Sequence, residues 1–309
     1  MVGVLSLLFQ LTDISSLVEN LRLSSFWIVL IVQPIVLITT LILAYRHAIL
    51  VSTPPSPIIP TFKAILLSHG MNMVIPFRMS ELLKSTYLNE HCGIPFPASI
   101  SAIIISRMTD MVLFVFFAIL SVGLLVETER LFSLVFILGV VVLVFYMLYK
   151  HDETLERCAS LIPVMLVRKI FIDFIRNLSE QTRSKAFWIS FFLGLVAWGL
   201  MLVSTLLVIR YSGSINVGFT GALEVYVLSL LGYVVSILPE GFGTFEAGAI
   251  FAMQRYGYTI EEAFGIAIAL HVSQLLICFI GAALILLFEN VGIRSMLKKI
   301  KKVKLAYYE

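Results

Sequence analysis

Two short stretches gather most of the side chains that could hold or move charge in an otherwise hydrocarbon-like chain. They are Pro76-Phe77-Arg78-Met79-Ser80-Glu81 and Leu238-Pro239-Glu240-Gly241-Phe242-Gly243-Thr244-Phe245-Glu246. In the first, the Arg78 guanidinium is a planar fork suited to phosphate, the alternative being a basic residue that sets topology. Glu81 lies three residues on, where it can orient Arg78 or cap the arriving helix. In the second, Gly241 and Gly243 permit backbone angles that other residues resist, and Thr244 is expected to N-cap a helix beginning Phe245-Glu246-Ala247. The free N–H groups of such a helix start attract an anion. Glu246 could cap that helix, carry a proton, or pair with Arg78 or Arg107; Glu224, on the preceding apolar arm, could join them.

Arg107 and Asp110 are three residues apart and share a helix face, so they can pair. A pair of this kind is either a structural lock or a holder for a charged substrate, because a charge at membrane depth costs roughly 2.5 to 3.5 kcal/mol or more. His271, with Ser273 and Gln274, forms a polar patch that an interhelical hydrogen bond would satisfy. Asn72 and His69 precede Pro76 by about one and two helical turns and could line the same cavity.

Catalytic spacing is missing. The sequence holds no Gly-x-Ser-x-Gly elbow, no His-Glu-x-x-His helix, no P-loop, and no acidic pair of the kind that binds metal and a nucleotide-sugar. Cys92, Cys158 and Cys278 are too scattered for a zinc site or a disulfide framework. No metal, cofactor or nucleic acid is therefore expected.

The elements that must position these residues follow from composition. With 60% hydrophobic and 13% charged residues among 309, and a mean hydropathy of +1.01, the chain is expected to be an all-α, polytopic integral membrane protein. Stretches 26–45, 97–126, 131–149, 186–211 and 263–288 are long enough to cross. The N-terminal 11 residues would reach only about 16 Å, so they either lie in the interface or follow a start further upstream.

Net charge is only +3, yet 13 of the 22 Lys and Arg fall in residues 150–185 and 294–304. Arg46 and His47, Lys150 and His151, and the tail from Arg294 mark cytoplasmic ends, which leaves the C-terminus cytoplasmic. Segment 47–96 then leaves from and returns to the cytoplasmic face, and segment 212–262 leaves from and returns to the outer face, so each is expected to be a hairpin. Their arms are Ile58 to Phe77 with Ser80 to Leu88, and Gly218 to Leu238 with Thr244 to Tyr256. The whole chain, 1–309, reads as one membrane domain: five full spans, two opposed re-entrant or broken-helix hairpins forming an inverted repeat, an amphipathic cytoplasmic linker at 150–185, and a basic tail at 294–309.

The run Asn72 to Leu88 (Pro76-x-Arg78-x-Ser80-Glu81-Leu82 and Lys84), then Gly93-Ile94 and Arg107-x-x-Asp110, resembles the first signature of the lysylphosphatidylglycerol synthase transmembrane, or flippase-like, family. Leu238-Pro239 through Gly241-Phe242-Gly243 to Glu246, followed by Gly257-Tyr258, resembles the second. The chain departs from the family at Ser80, where a glycine is usual, and at Glu240, the middle of a Pro-Gly-Gly.

The resemblance implies translocation of a phospholipid or lipid-linked glycan headgroup between leaflets of the cell membrane, by a stand-alone member without the aminoacyl transferase domain. Membrane lipids with an anionic headgroup would be the partners. Arg78, Glu81, Arg107, Asp110, Glu224, Gly241, Gly243 and Glu246 would form the site, with His69, Asn72, Lys84, Glu240 and His271 around it. A second reading is a non-catalytic anchor for a glycosyltransferase or lipid-modifying enzyme; a third is an ion-coupled transporter of a soluble solute. Homo-oligomers fit any of these.

Overall fold

A computed structural model describes residues 23–51, 56–75, 80–125, 183–236 and 238–289, with the single residues 139 and 180. Arg78, most of the amphipathic linker expected at 150–185, all but residue 139 of the span expected at 131–149, and the basic tail lie outside these residues. The described part is helical: α1 Leu23–Ile31, α2 Gln33–Val51, α3 Ile58–Asn72, α4 Ser80–Cys92, α5 Phe96–Leu125, α6 Lys185–Ser212, α7 Gly218–Val235, α8 Thr244–Gln254 and α9 Ile260–Phe288.

Five helical stretches are long and apolar enough to cross a membrane: Phe26–Val51, Phe96–Ser121, Lys185–Ser212, Gly218–Val235 and Ile260–Phe288. Four of these correspond to expected spans, α7 qualifies in addition to forming a hairpin arm, and the expected span 131–149 is not among the described residues searched. Outer faces remain apolar where hydrocarbon is the solvent. On α6, Trp188, Phe192, Val196 and Val203 recur at helical spacing and are all exposed.

The boundaries have local causes. Pro34 lacks the N–H that would continue the helix through α1 into α2. The Gln33 side chain compensates, donating to Val29 O at 2.7 Å and to Ser273 O of α9 at 3.0 Å. Thr259 and Glu262 form a capping box at the start of α9. Ser184 accepts from Phe187 N at 3.2 Å at the start of α6.

Two antiparallel hairpins dominate the packing. In the first, α3 packs on α4 and runs antiparallel to α9, so that Lys63 meets Glu289 while Gly70 abuts Cys278 and Ala282. In the second, α7 and α8 touch backbone to backbone, because a Cβ at Gly232 would collide with the Thr244 carbonyl and one at Gly248 with that of Leu228. The end of α3 lies level with Cys278, and the turn before α8 meets His271. The two tips thus reach α9 from its opposite ends and stop seven residues, about 10 Å, apart along it.

Apart from α1, which packs on α6 and α9, the helix contacts follow one rule. Exchanging α2, α3, α4 and α5 for α6, α7, α8 and α9 maps the packing onto itself: α2 lies on α6, α3 on α9, α7 on α5, α4 on α5 and α8 on α9. Each hairpin thereby seats its first arm against the long helix of the other half.

Candidate functional site

The first polar cluster is built where α2, α4, α5 and α6 meet. Arg46, only 2% exposed, donates from Nη1 to Asp110 Oδ1 at 2.6 Å, from Nε to Ser190 Oγ at 3.0 Å, and from Nη2 to Ser106 O at 3.0 Å and to the Thr109 hydroxyl. Arg107 binds Glu81, and its second contact to Asp110 is long, at 3.8 Å. Arg107 and Asp110 share a face as expected, but each takes its main partner from another helix. The facing helices offer each of them a shorter contact than the 3.8 Å between the two.

Glu81 and Lys84 are both buried on α4. Among the described residues, Lys84 Nζ ion-pairs with no carboxylate, and Glu81 and Asp110 act on it at longer range. His47, also buried, points Nε2 at no hydrogen-bond partner among the described residues. At the tip of this hairpin Ser80 donates to Asn72, which ties the second arm to the first. His69 acts on Glu81 electrostatically. From α7, Tyr233 approaches Arg107 and Tyr226 approaches Asp110 closely enough to interact with them.

The second cluster sits at the other tip. Gly243, with φ of 86°, is the N-cap of α8, and Thr244 is already in the helix with its hydroxyl turned to Gly241 O at 3.0 Å. That corrects the expected cap: a left-handed residue at the boundary suits glycine, and the helix starts one residue earlier than Phe245. Glu246 closes the cap by accepting from Gly243 N at 2.7 Å. Its other oxygen lies 2.6 Å from His271 Nδ1, and His271 Nε2 donates to Glu240 O at 3.1 Å. Phe245 stacks on the imidazole at 4.4 Å, with Phe242 at 5.0 Å. Of the roles open to Glu246, the structure shows the cap; Arg107 pairs with Glu81 instead, and Arg78 lies outside the described residues. His271 does bridge helices, as expected.

Glu224 joins neither cluster. It pairs with Arg255 at 2.7 Å and accepts from Tyr256 Oη at 2.7 Å, at the base of the second hairpin, two to three turns from the tip. Gly241, with φ of 74°, packs under Tyr233. Glu240 is buried and has φ of 47°, a conformation costing a residue with a Cβ about 1–2 kcal/mol. Cys278 senses its carboxyl. Among the described residues, no group of three or more His, Cys, Asp and Glu comes together to hold a metal ion, and Cys92 and Cys278 are free thiols.

The two clusters occupy equivalent places. Glu81 opens α4 and pairs with Arg107, 11 residues into α5; Glu246 opens α8 and pairs with His271, 11 residues into α9. Apolar outer faces, helices of membrane-crossing length and carboxylate–cation pairs between helices define a multi-pass α-helical membrane protein. Residues 1–282 match the family model described as the lysylphosphatidylglycerol synthase TM region, and the chain belongs to that family. No curated protein and no solved structure matches it.

Proposed function

We propose that the protein moves a lipid with an anionic headgroup, a phospholipid or a lipid-linked glycan, between the leaflets of the cell membrane. The observation that carries this reading is the charge balance of the first cluster. Among the described residues, Arg46, Lys84 and Arg107 face only Glu81 and Asp110 there, which leaves one more cation than carboxylate in that set. Charges inside a membrane domain face a partner or a polar path, and a phosphate group would complete this one. Membership of the lysylphosphatidylglycerol synthase TM family supports a lipid-related role.

In this reading the hairpins are re-entrant, entering from opposite faces, and the C-terminus is cytoplasmic. Arg107 and Lys84 receive the headgroup phosphate, Glu81 and Asp110 hold those cations in place, and Arg46 positions Asp110. Arg78, three residues before Glu81 in sequence, is a further candidate for phosphate. The acyl tails remain in the bilayer. The transport is not enzymatic chemistry.

The test is leaflet exchange of a fluorescent phosphatidylglycerol in proteoliposomes, with a phosphatidylcholine analogue as reference. Lys84→Met keeps the side chain's length and removes its charge. It is expected to slow exchange of the anionic probe by about tenfold relative to the neutral one, the effect of about 1.4 kcal/mol of lost attraction. Equal rates for wild type and variant on both probes would overturn the assignment. A wild-type protein that exchanges neither probe but co-purifies with a glycosyltransferase would instead carry the anchor reading.

A further inference from the structure

We infer that the tip of the second hairpin, the turn Pro239–Gly241 with the first turn of α8, is latched to α9 by one proton shared between His271 Nδ1 and Glu246 Oε1, and that loss of this proton releases the tip. The inference rests on counting donors and acceptors. Glu240 O is a carbonyl and can only accept, so His271 Nε2 must carry a hydrogen. On the other side of the ring, Nδ1 faces a carboxyl oxygen at 2.6 Å. A neutral ring already protonated at Nε2 and an ionised carboxylate would meet there lone pair to lone pair. One further proton must therefore lie between them, on the ring or on the carboxyl. Without it the neutral ring has one hydrogen for two acceptors, so either the Glu246 or the Glu240 contact becomes lone pair against lone pair, and a net negative charge is left where both partners are buried.

The titratable groups around the ring support this count. Glu246 faces it from α8, Glu240 from the turn, and Cys278 lies two turns along α9. From α2, Gln33 at Ser273 O and Thr40 at Cys278 are uncharged. Tyr233 of α7 packs at Gly241, with Arg107 of α5 beyond it. His69 of α3 belongs to the Glu81 side. Thus no described cation other than the imidazole itself stands against Glu246.

Comparison of the two halves sharpens the point. The equivalent pair in the first half, Glu81 with Arg107, uses a guanidinium that keeps its proton throughout the biological pH range. One latch is therefore permanent and the other is switchable, so the second hairpin is the one that moves. Release of the tip expels a proton, and rising pH favours the released form. If the translocation reading holds, this is where proton binding meets headgroup movement; the latch itself stands on the tip geometry alone.

Hydrogen–deuterium exchange of the full chain in nanodiscs reads the latch without any lipid substrate, so it can fail independently of the exchange assay. After correction for intrinsic rates, amides of the tip and the start of α8 are expected to lose at least about tenfold protection between about pH 5 and about pH 9, while α4 does not. Glu246→Gln supplies a permanent amide donor to Nδ1 and still accepts from Gly243 N, so its tip should stay protected across the range. His271→Phe keeps a ring between Phe242 and Phe245 but holds no proton, and its tip should be exposed at both ends. A wild-type tip indifferent to pH, or a Glu246→Gln tip that still responds as wild type does, would overturn the proposal.

Discussion

Arg46 is the residue whose place in the structure differs most from its place in the sequence. It follows a run of apolar residues and precedes His47, which is the pattern of a basic flank at the end of a span. In the structure α2 continues to Val51, and Arg46 lies inside it with its donors spread over α5 and α6. The signal that could have shown this is Ala48-Ile49-Leu50-Val51, apolar residues that prolong the helix beyond the charge. Arg46→Met is expected to destabilise the protein by about 3–5 kcal/mol, because Asp110 is left as a largely buried carboxylate without its closest cation. Urea titration in mixed micelles checks this, and Asp110→Asn in the same background should recover part of the loss. Glu240 shows the reverse situation. Its departure from the family's Pro-Gly-Gly stood out in the sequence, and the left-handed backbone at that position gives the physical reason a glycine is usual there.

At the scale of elements, apolar runs bounded by Pro, Gly and charge revealed the helices, because hydrocarbon solvent enforces length and composition. Partner choice was less legible. Glu81, Arg107, Glu246 and His271 could all be singled out, but which carboxylate meets which cation depends on how helices far apart in sequence are seated, and no local pattern encodes that. The clasp at the end of the first hairpin is a case the sequence did not disclose. Lys63 of α3 binds Glu289 Oε1 at 2.5 Å, Tyr87 of α4 donates to Glu289 Oε2 at 2.7 Å, and Tyr87 stacks on His91 at 3.9 Å.

Desolvation pushes the Glu289 carboxyl up, but hydrogen bonds from Lys63 and Tyr87, with the Lys63 charge, hold it below the usual carboxylate range. A carboxyl with a lowered folded-state pKa contributes stability above its unfolded value, and this is lost as pH falls through the folded one. Lys63 is 39% exposed, so solvent screening keeps the contribution under about 1 kcal/mol. Glu289→Gln should therefore flatten the acid side of the stability–pH curve slightly and leave the neutral side lowered by that amount, as read by thermal unfolding across the acidic range.

At the scale of the whole molecule, the exchange of first arms between halves makes neither half complete alone. A chain cut between α5 and α6 and expressed as two pieces is expected to reassemble, with a tag on one piece retrieving the other, while each piece alone is degraded. Protease resistance of either piece by itself would show instead that the halves are separate domains. The same interlocking has a consequence in time. Gly70 cannot reach Cys278 and Ala282 until α9 has been made, roughly 200 residues later, which at about 5–20 residues per second is on the order of 10–40 s. During that interval the first hairpin waits in the bilayer without its seat, its glycine face open to lipid and Lys63 without Glu289. The newborn chain is thus a different object from the finished one, and quality-control proteases would meet the protein in that form.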